Sequence, residues 1–187
     1  MQKNNMSITK QRQQSAYLAL AEAFGYTSVM QGPRIEKVIV STGVGKKRDK
    51  KQIELIENRL AKITGQKASP RAARLSIASF KVREGDTVGL QVTLRGAHMY
   101  DFIDKVIHIA LPRTRDFRGL SVKSIDDMGN MTIGLKDNTI FPETSDEDLK
   151  DVFGLAITIV TTTKSRAEAE AFFRHIGMPL IVDGNKK

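Results

Sequence analysis

An acidic cluster in the second half of the chain is the group of side chains that most suggests metal chemistry. Hard cations take several oxygen ligands in proteins, and five carboxylates fall within nine residues here. Their spacing does not match a calcium-binding loop, and a solvated acidic turn before a helix explains the same residues. We therefore expect no metal ion at this cluster, which consists of Glu143, Asp146, Glu147, Asp148 and Asp151.

Other candidate catalytic residues also fail to form a recognisable site. The segment Gly43-Val44-Gly45-Lys46-Lys47 lacks the glycine-to-lysine spacing of a phosphate-binding P-loop. No serine elbow accompanies the three histidines, and the chain has no cysteine. We expect His98, His108 and His175 to lie on helix surfaces. The sequence predicts no enzyme activity, no cofactor and no small-molecule substrate.

Basic side chains form a more informative pattern. The segment from residue 59 to residue 83 contains no acidic residue, and arginine side chains can grip phosphate with two parallel hydrogen bonds. The run Lys46-Lys47-Arg48-Asp49-Lys50-Lys51 is less informative, because a solvated surface explains it equally well. The basic residues of the longer segment are Arg59, Lys62, Lys67, Arg71, Arg74, Lys81 and Arg83.

A strand with one polar face follows this basic segment. From residue 87 to residue 95, apolar residues alternate with polar ones, which is typical of a half-exposed strand. Its polar face presents Gln91, Thr93 and Arg95, and amide and hydroxyl groups can contact bases and 2′-hydroxyls of RNA. Because aromatic residues make up only 6% of the chain, we expect recognition of RNA shape and backbone more than base stacking.

Other elements must position these residues. Apolar spacing and end signals predict helices from Ser7 to Phe24, Asp49 to Gly65, Met99 to Ile109, and Ser165 to Gly177, the last opened by a capping box of Ser165 and Glu168. Residues 65–76 and 112–120 read as loops, and Arg83 to Asp86 as a turn. Strands are predicted at residues 34–42, on both sides of Gly129-Asn130, and at residues 155–162.

These elements predict an α+β fold. A mostly antiparallel sheet would carry helices on one face, and its other face and the basic loops would be open to RNA. We expect one domain over residues 1–187, with loose ends at about residues 1–6 and 182–187.

The charge distribution favours a polyanionic partner. The net charge is +9, and the halves divided after residue 95 carry +11 and −2. No basic amphipathic helix with a large aromatic face favours a membrane, and no apolar run is long enough to span one. We therefore expect a soluble cytoplasmic protein that binds nucleic acid.

Several blocks of sequence resemble a known family. The segments PRIEKVIVSTGVG, SIASFKVREG, ALPRTRDFRGLS, GNMTIGLKDNTIFPE and GLAITIVTTTKSRAEAEAFFRHIGMPL follow the order found in large-subunit ribosomal protein five of the bacterial type. The resemblance covers about residues 26–180. It implies a structural protein of the large ribosomal subunit that binds 5S rRNA in the central protuberance.

The resemblance also implies partners for named residues. It assigns 5S rRNA to Ser41, Gln66, Thr93 and Arg95, to which we add Gln91, Lys46 and Lys47. It implies that an extended basic loop reaches the peptidyl-site tRNA, through Arg71, Arg74, Ser76, Lys81 and Arg83. A second basic loop holds Arg113, Arg115 and Arg118. The expected partners also include 23S rRNA, neighbouring ribosomal proteins and a small-subunit protein across the interface.

The chain departs from the family pattern at three places. Ser41 stands where the family usually has asparagine, so a base contact there would be weaker or mediated by water. Ala72 and Leu75 stand where lysines are common, which predicts a less electrostatic tRNA contact. The pair Asp127-Met128 replaces glycine and arginine, which puts RNA contact by that turn in doubt.

Two other functions remain open from the residues alone. A metal-dependent phosphoryl-transfer enzyme would use the acidic cluster and the glycine turn at Gly43, and tight Mg²⁺ binding would identify it. A free regulatory protein that binds some other RNA would sediment away from ribosomes.

Overall fold

A computed structural model describes residues 7–45, 50–115, 117–144 and 152–181, and within these ranges four α-helices and five strands follow one another. The helices are α1 (Ile8–Phe24), α2 (Lys50–Thr64), α3 (Gly96–Lys105) and α4 (Arg166–Ile176). The strands are β1 (Ile35–Gly43), β2 (Ser69–Ala72), β3 (Thr87–Leu94), β4 (Met131–Leu135) and β5 (Leu155–Thr161).

The strands form one sheet in the order β2-β3-β1-β5-β4, and β2 pairs with β3 in antiparallel fashion. The predicted α+β class with an antiparallel sheet is confirmed. Each of β1, β3, β4 and β5 alternates between buried and more exposed residues, so each strand gives one side to the core.

The chain divides into two compact units. The first comprises residues 1–38, 95–133 and 158–187, where α1 packs against α3 and α4 around buried side chains such as Phe172 and Phe173. The second comprises residues 39–94 and 134–157, where α2 packs against β3 and buries residues such as Ile56 and Leu60. The predicted single domain stays a prediction.

Local sequence signals account for most helix ends. The Ser7 hydroxyl accepts a hydrogen bond from Lys10 N–H at the start of α1, and Gly25 ends that helix in the left-handed conformation. At α4 the Ser165 hydroxyl accepts from Glu168 N–H, as predicted. The Glu168 carboxylate, however, accepts a hydrogen bond from the N–H of Lys164 and not from the N–H of Ser165, which the predicted capping box requires.

Three sequence predictions need correction. Residues 65–76 are not only a loop, because β2 lies within them as a short edge strand containing Pro70. Only β4 flanks the Gly129-Asn130 turn as a strand, because Ile125 on the other side makes one isolated bridge, to Met131. The third helix ends its α-helical part at Lys105 and continues as one π-helical turn, Val106–Ala110.

Candidate nucleic-acid interface

The exposed face of β3 carries two of the predicted RNA-binding residues. Leu90, Val92 and Leu94 are buried, and Gln91 and Thr93 lie between them, half-buried on the opposite face. The predicted alternation is therefore confirmed from Leu90 to Leu94, whereas Thr87, Val88 and Gly89 are all half-buried. The amide of Gln91 and the hydroxyl of Thr93 remain at the surface.

Ser41 occupies the corresponding face of β1, the strand next to β3. It is half-buried between Val40 and Thr42, which are both buried, and the Thr42 hydroxyl donates to the Gly154 carbonyl oxygen at 2.7 Å. The Thr42 hydroxyl is thus engaged inside the protein, and Ser41 is the hydroxyl that this strand offers to a ligand.

Gln66 lies in the connection from α2 to β2, just after Gly65 ends the helix with a φ of +72°. Thr64 organises this connection, because its hydroxyl donates to the Leu60 carbonyl oxygen at 2.7 Å and accepts weakly from Gln66 N–H at 3.4 Å. The Gln66 residue itself is exposed, so its amide side chain is available to a partner.

The structure links two sets of predicted residues that the sequence kept apart. Ser69 is paired with Gln91, and Arg71 with Gly89, so Arg71 and Gln91 share one face of the sheet. The Arg71 Nε–H donates to the Gln91 Oε1 at 2.7 Å. Arg71, which is predicted to contact tRNA, therefore orients Gln91, which is predicted to contact 5S rRNA.

The connection between β2 and β3 is a hairpin, residues 73–86, with its own hydrogen bonds. Ile77 and Val82 exchange two backbone hydrogen bonds, and the Ser76 hydroxyl accepts from Glu84 N–H at 2.9 Å. Lys81 has a φ of +51°, which is unusual for a residue other than glycine. The predicted residues on this hairpin are exposed, namely Arg74, Ser76, Lys81 and Arg83.

Apolar residues of the hairpin are a feature that the sequence analysis missed. Leu75 and Phe80 are 74% and 72% exposed, and Ile77 is 46% exposed. They line a groove of about 810 Å³ together with Arg74 and Phe153. The sequence could have indicated this feature, because these apolar residues stand within a segment that is otherwise basic. Exposed apolar patches of this kind mark interaction surfaces.

Arg95 directly follows β3 and is paired with an acidic residue. Its Nη1 lies 3.6 Å from Glu36 Oε1, and Lys37 Nζ lies 3.8 Å from the same oxygen. The predicted residue is therefore at the surface, but a carboxylate partly neutralises it.

The second basic loop belongs to the first unit. Arg113, Arg115 and Arg118 are all exposed in the segment after the π-helical turn. Gln91 and Thr93 belong to the second unit, so these two groups of predicted RNA-binding residues lie in different compact units. The backbone downstream of the loop is held by Leu120, whose N–H donates to the Pro179 carbonyl oxygen at 2.7 Å.

Some predicted residues lie outside the described part of the chain. These include Lys46, Lys47, Asp49 at the predicted start of the second helix, both predicted loose ends, and most of the acidic cluster. Among the described residues, no group of three or more potential ligands could hold a metal ion. No helix of the described ranges is both long and apolar enough to cross a membrane.

One of the three histidines joins two helices, and the other two are exposed. His175 Nε2 lies 2.9 Å from Ser15 Oγ and 3.0 Å from the Arg12 carbonyl oxygen, so it joins α4 to α1. His98 and His108 are exposed, the first on α3 and the second on the π-helical turn. They accordingly match the expectation of surface histidines.

Comparison with known proteins identifies the family. Residues 28–83 match the model of ribosomal protein L5, and residues 87–180 match the model of the C-terminus of the same ribosomal protein family. The large ribosomal subunit protein uL5 of Heliobacterium modesticaldum is 48% identical over 86% of this chain and 90% of its own length. The uL5 proteins of Mycoplasma pneumoniae and Halothermothrix orenii are 45% and 43% identical, over 87% and 92% of this chain and 91% and 97% of theirs.

Proposed function

The chain belongs to the ribosomal protein L5 family of the large ribosomal subunit, and we propose that within the subunit it binds 5S rRNA and fixes its position. Members of this family are structural proteins and not enzymes, so the predicted absence of catalysis is confirmed. The protein is therefore part of the ribosome, in the cytoplasm.

The observation that carries the proposal is the polar, accessible face of β3 beside β1. Gln91 and Thr93 present an amide and a hydroxyl, Ser41 adds a second hydroxyl, and Arg71 holds the Gln91 amide in place. An ordered amide loses less entropy on binding than a free one. Such groups suit contacts with 2′-hydroxyls and base edges of folded RNA.

Basic residues of the proposed set would supply the phosphate contacts, namely Arg95, which directly follows β3, together with Lys46 and Lys47. Gln66, which precedes β2, would add a second amide. Phosphate contacts orient the protein on RNA, and contacts from the polar strand residues add selectivity.

The hairpin is proposed to contact the peptidyl-site tRNA. Arg74, Lys81 and Arg83 give it positive charge, and as the exposed connection between β2 and β3 it can reach outward. The second basic loop would contact 23S rRNA or a neighbouring protein through Arg113, Arg115 and Arg118. A small-subunit protein is the last of the proposed partners.

The test is binding of the purified chain to 5S rRNA and to an equal mass of tRNA over a range of salt concentrations. We expect 5S rRNA to bind more tightly by orders of magnitude, with the preference kept as salt weakens both complexes. Equal binding of the two RNAs, lost together as salt rises, would overturn the proposal, because the basic residues would then form only a solvated surface.

A further inference from the structure

Glu36 is the only acidic residue in any of the five strands that the structure describes. Its carboxylate lies against two cations, because Oε1 is 3.6 Å from Arg95 Nη1 and 3.8 Å from Lys37 Nζ. One of these cations, Arg95, belongs to the proposed RNA interface. A carboxylate therefore lies beside a cation that is proposed to bind RNA phosphate.

Stability does not account for this arrangement. The side chains of Arg95 and Glu36 are 58% and 48% exposed, and the atoms are farther apart than in a direct hydrogen bond. Exposed pairs of this kind contribute little to folding. The larger consequence of Glu36 is electrostatic, since it cancels one positive charge on the surface and attracts the Arg95 guanidinium.

We propose that Glu36 is a positioning and specificity-determining residue for RNA binding, which orients Arg95 and weakens the attachment of unrelated RNA. This inference rests on the proposed function. A guanidinium already oriented loses less side-chain entropy when it binds. A carboxylate beside the site also repels any phosphate that does not gain compensating contacts.

These two effects act differently on different RNAs. An RNA that fits the surface gains from the oriented Arg95, and this gain offsets the repulsion by Glu36. An RNA held only through its phosphates experiences the repulsion alone. Removal of the negative charge should therefore strengthen unrelated RNA more than 5S rRNA.

The substitution E36Q tests this, because glutamine keeps the size and shape of the exposed side chain. Binding of 5S rRNA and of an RNA duplex of unrelated sequence is measured across salt concentrations for the wild type, E36Q, R95Q and the double variant E36Q/R95Q. The matched control is E170Q, since Glu170 pairs with Arg174 at 2.8 Å on α4, outside the proposed interface.

We expect E36Q to tighten binding of the unrelated duplex on the order of threefold at low salt, and that of 5S rRNA by less. The preference for 5S rRNA then falls. E170Q should leave the preference unchanged, and E36Q should have no further effect on it once Arg95 is replaced. The last result separates an action through Arg95 from a general effect of net charge.

Two failures can be told apart. If E36Q leaves the preference unchanged, or E170Q lowers it equally, the role of Glu36 is overturned, and the proposed function stands as long as the wild type prefers 5S rRNA and R95Q weakens that preference. If the wild type shows no preference for 5S rRNA, both are overturned.

Discussion

Thr93 allows a test of the RNA interface at the scale of a single side chain. The substitution T93V removes the hydroxyl and keeps a branched side chain that suits a strand. We expect the dissociation constant for 5S rRNA to rise about fivefold, which corresponds to one lost hydrogen bond of about 1 kcal/mol, with little change in the melting temperature. Filter binding and thermal unfolding measure the two effects.

The control for T93V is T132V. Thr132 is exposed on β4, outside the proposed set, and contacts the Thr158 hydroxyl at 3.1 Å. An equal loss of affinity in both variants would contradict a specific role for Thr93.

Asp104 predicts a pH dependence of stability. Partial burial raises the pKa of this carboxyl, but hydrogen bonds from Ser7 and Thr9 outweigh it and hold the pKa below the ordinary value of 3.8. The Ser7 hydroxyl donates at 2.5 Å, and the hydroxyl and N–H of Thr9 donate at 2.6 and 3.0 Å. The carboxylate thereby joins α3 to the start of α1.

We expect D104N to lower the free energy of unfolding by about 1 kcal/mol at neutral pH, after solvent screening is allowed for. Because the folded-state pKa is lowered, the stabilisation is complete above the ordinary pKa and is lost as the pH falls through the folded-state value. Urea unfolding of both proteins between pH 7 and pH 3 measures this. A difference that stays constant on acidification would show that the carboxylate charge is not its source.

Among the connecting elements, the turn before β4 depends on Gly129. Its φ is +81°, and a Cβ atom there would lie 1.9 Å from Thr163 Oγ1. The Thr161 hydroxyl also donates to the Gly129 carbonyl oxygen at 2.7 Å. We expect G129A to lower the free energy of unfolding by about 2–4 kcal/mol, through backbone strain and overlap.

Gly134 provides the comparison for that change. It lies in β4, and a Cβ atom there would meet nothing within 4 Å. We expect G134A to have no destabilising effect in the same denaturant titration. Equal destabilisation by both substitutions would indicate that loss of glycine, and not the contact with Thr163, is responsible.

The number of charged side chains on the hairpin predicts how strongly the affinity for tRNA depends on salt concentration. Ala72 and Leu75 are exposed and uncharged at positions where the family resemblance implies lysines, so the hairpin should neutralise few phosphates. We expect the variant A72K/L75K to steepen the slope of log affinity against log salt by about 1.5. Titrations of tRNA at several salt concentrations measure the slope.

A charge-matched control places the same lysines elsewhere. Ala19 and Ala23 are exposed on α1, so A19K/A23K adds equal charge outside the hairpin and should change the slope less. A wild-type slope already as steep as that of A72K/L75K would contradict a weakly electrostatic hairpin.

The whole molecule should unfold in one cooperative transition. The boundary between the two compact units cuts through β1, β4 and β5, so each of these strands belongs to both units. Unfolding of either unit would disrupt strands of the other. We expect calorimetric and van't Hoff enthalpies to agree, as for a single domain. Two separate transitions would show that the units are independent domains.

Local patterns determined much of this protein. Apolar spacing with Ser7, Gly25 and Gly177 located α1 and the end of α4, because a helix and its caps depend on residues a few positions apart. The strict alternation around Gln91 and Thr93 located β3 and its exposed face for the same reason. The charge distribution and the family-like segments directed the functional hypothesis to RNA.

Only the tertiary structure decided which distant residues meet. The edge strand β2 forms because β3 supplies its hydrogen-bond partners, and neither composition nor periodicity around Pro70 predicts it. The contacts of Arg71 with Gln91 and of Arg95 with Glu36 join residues 20 and 59 positions apart. Such contacts depend on strand pairing and register, which are set by packing across the fold and not by any short stretch of sequence.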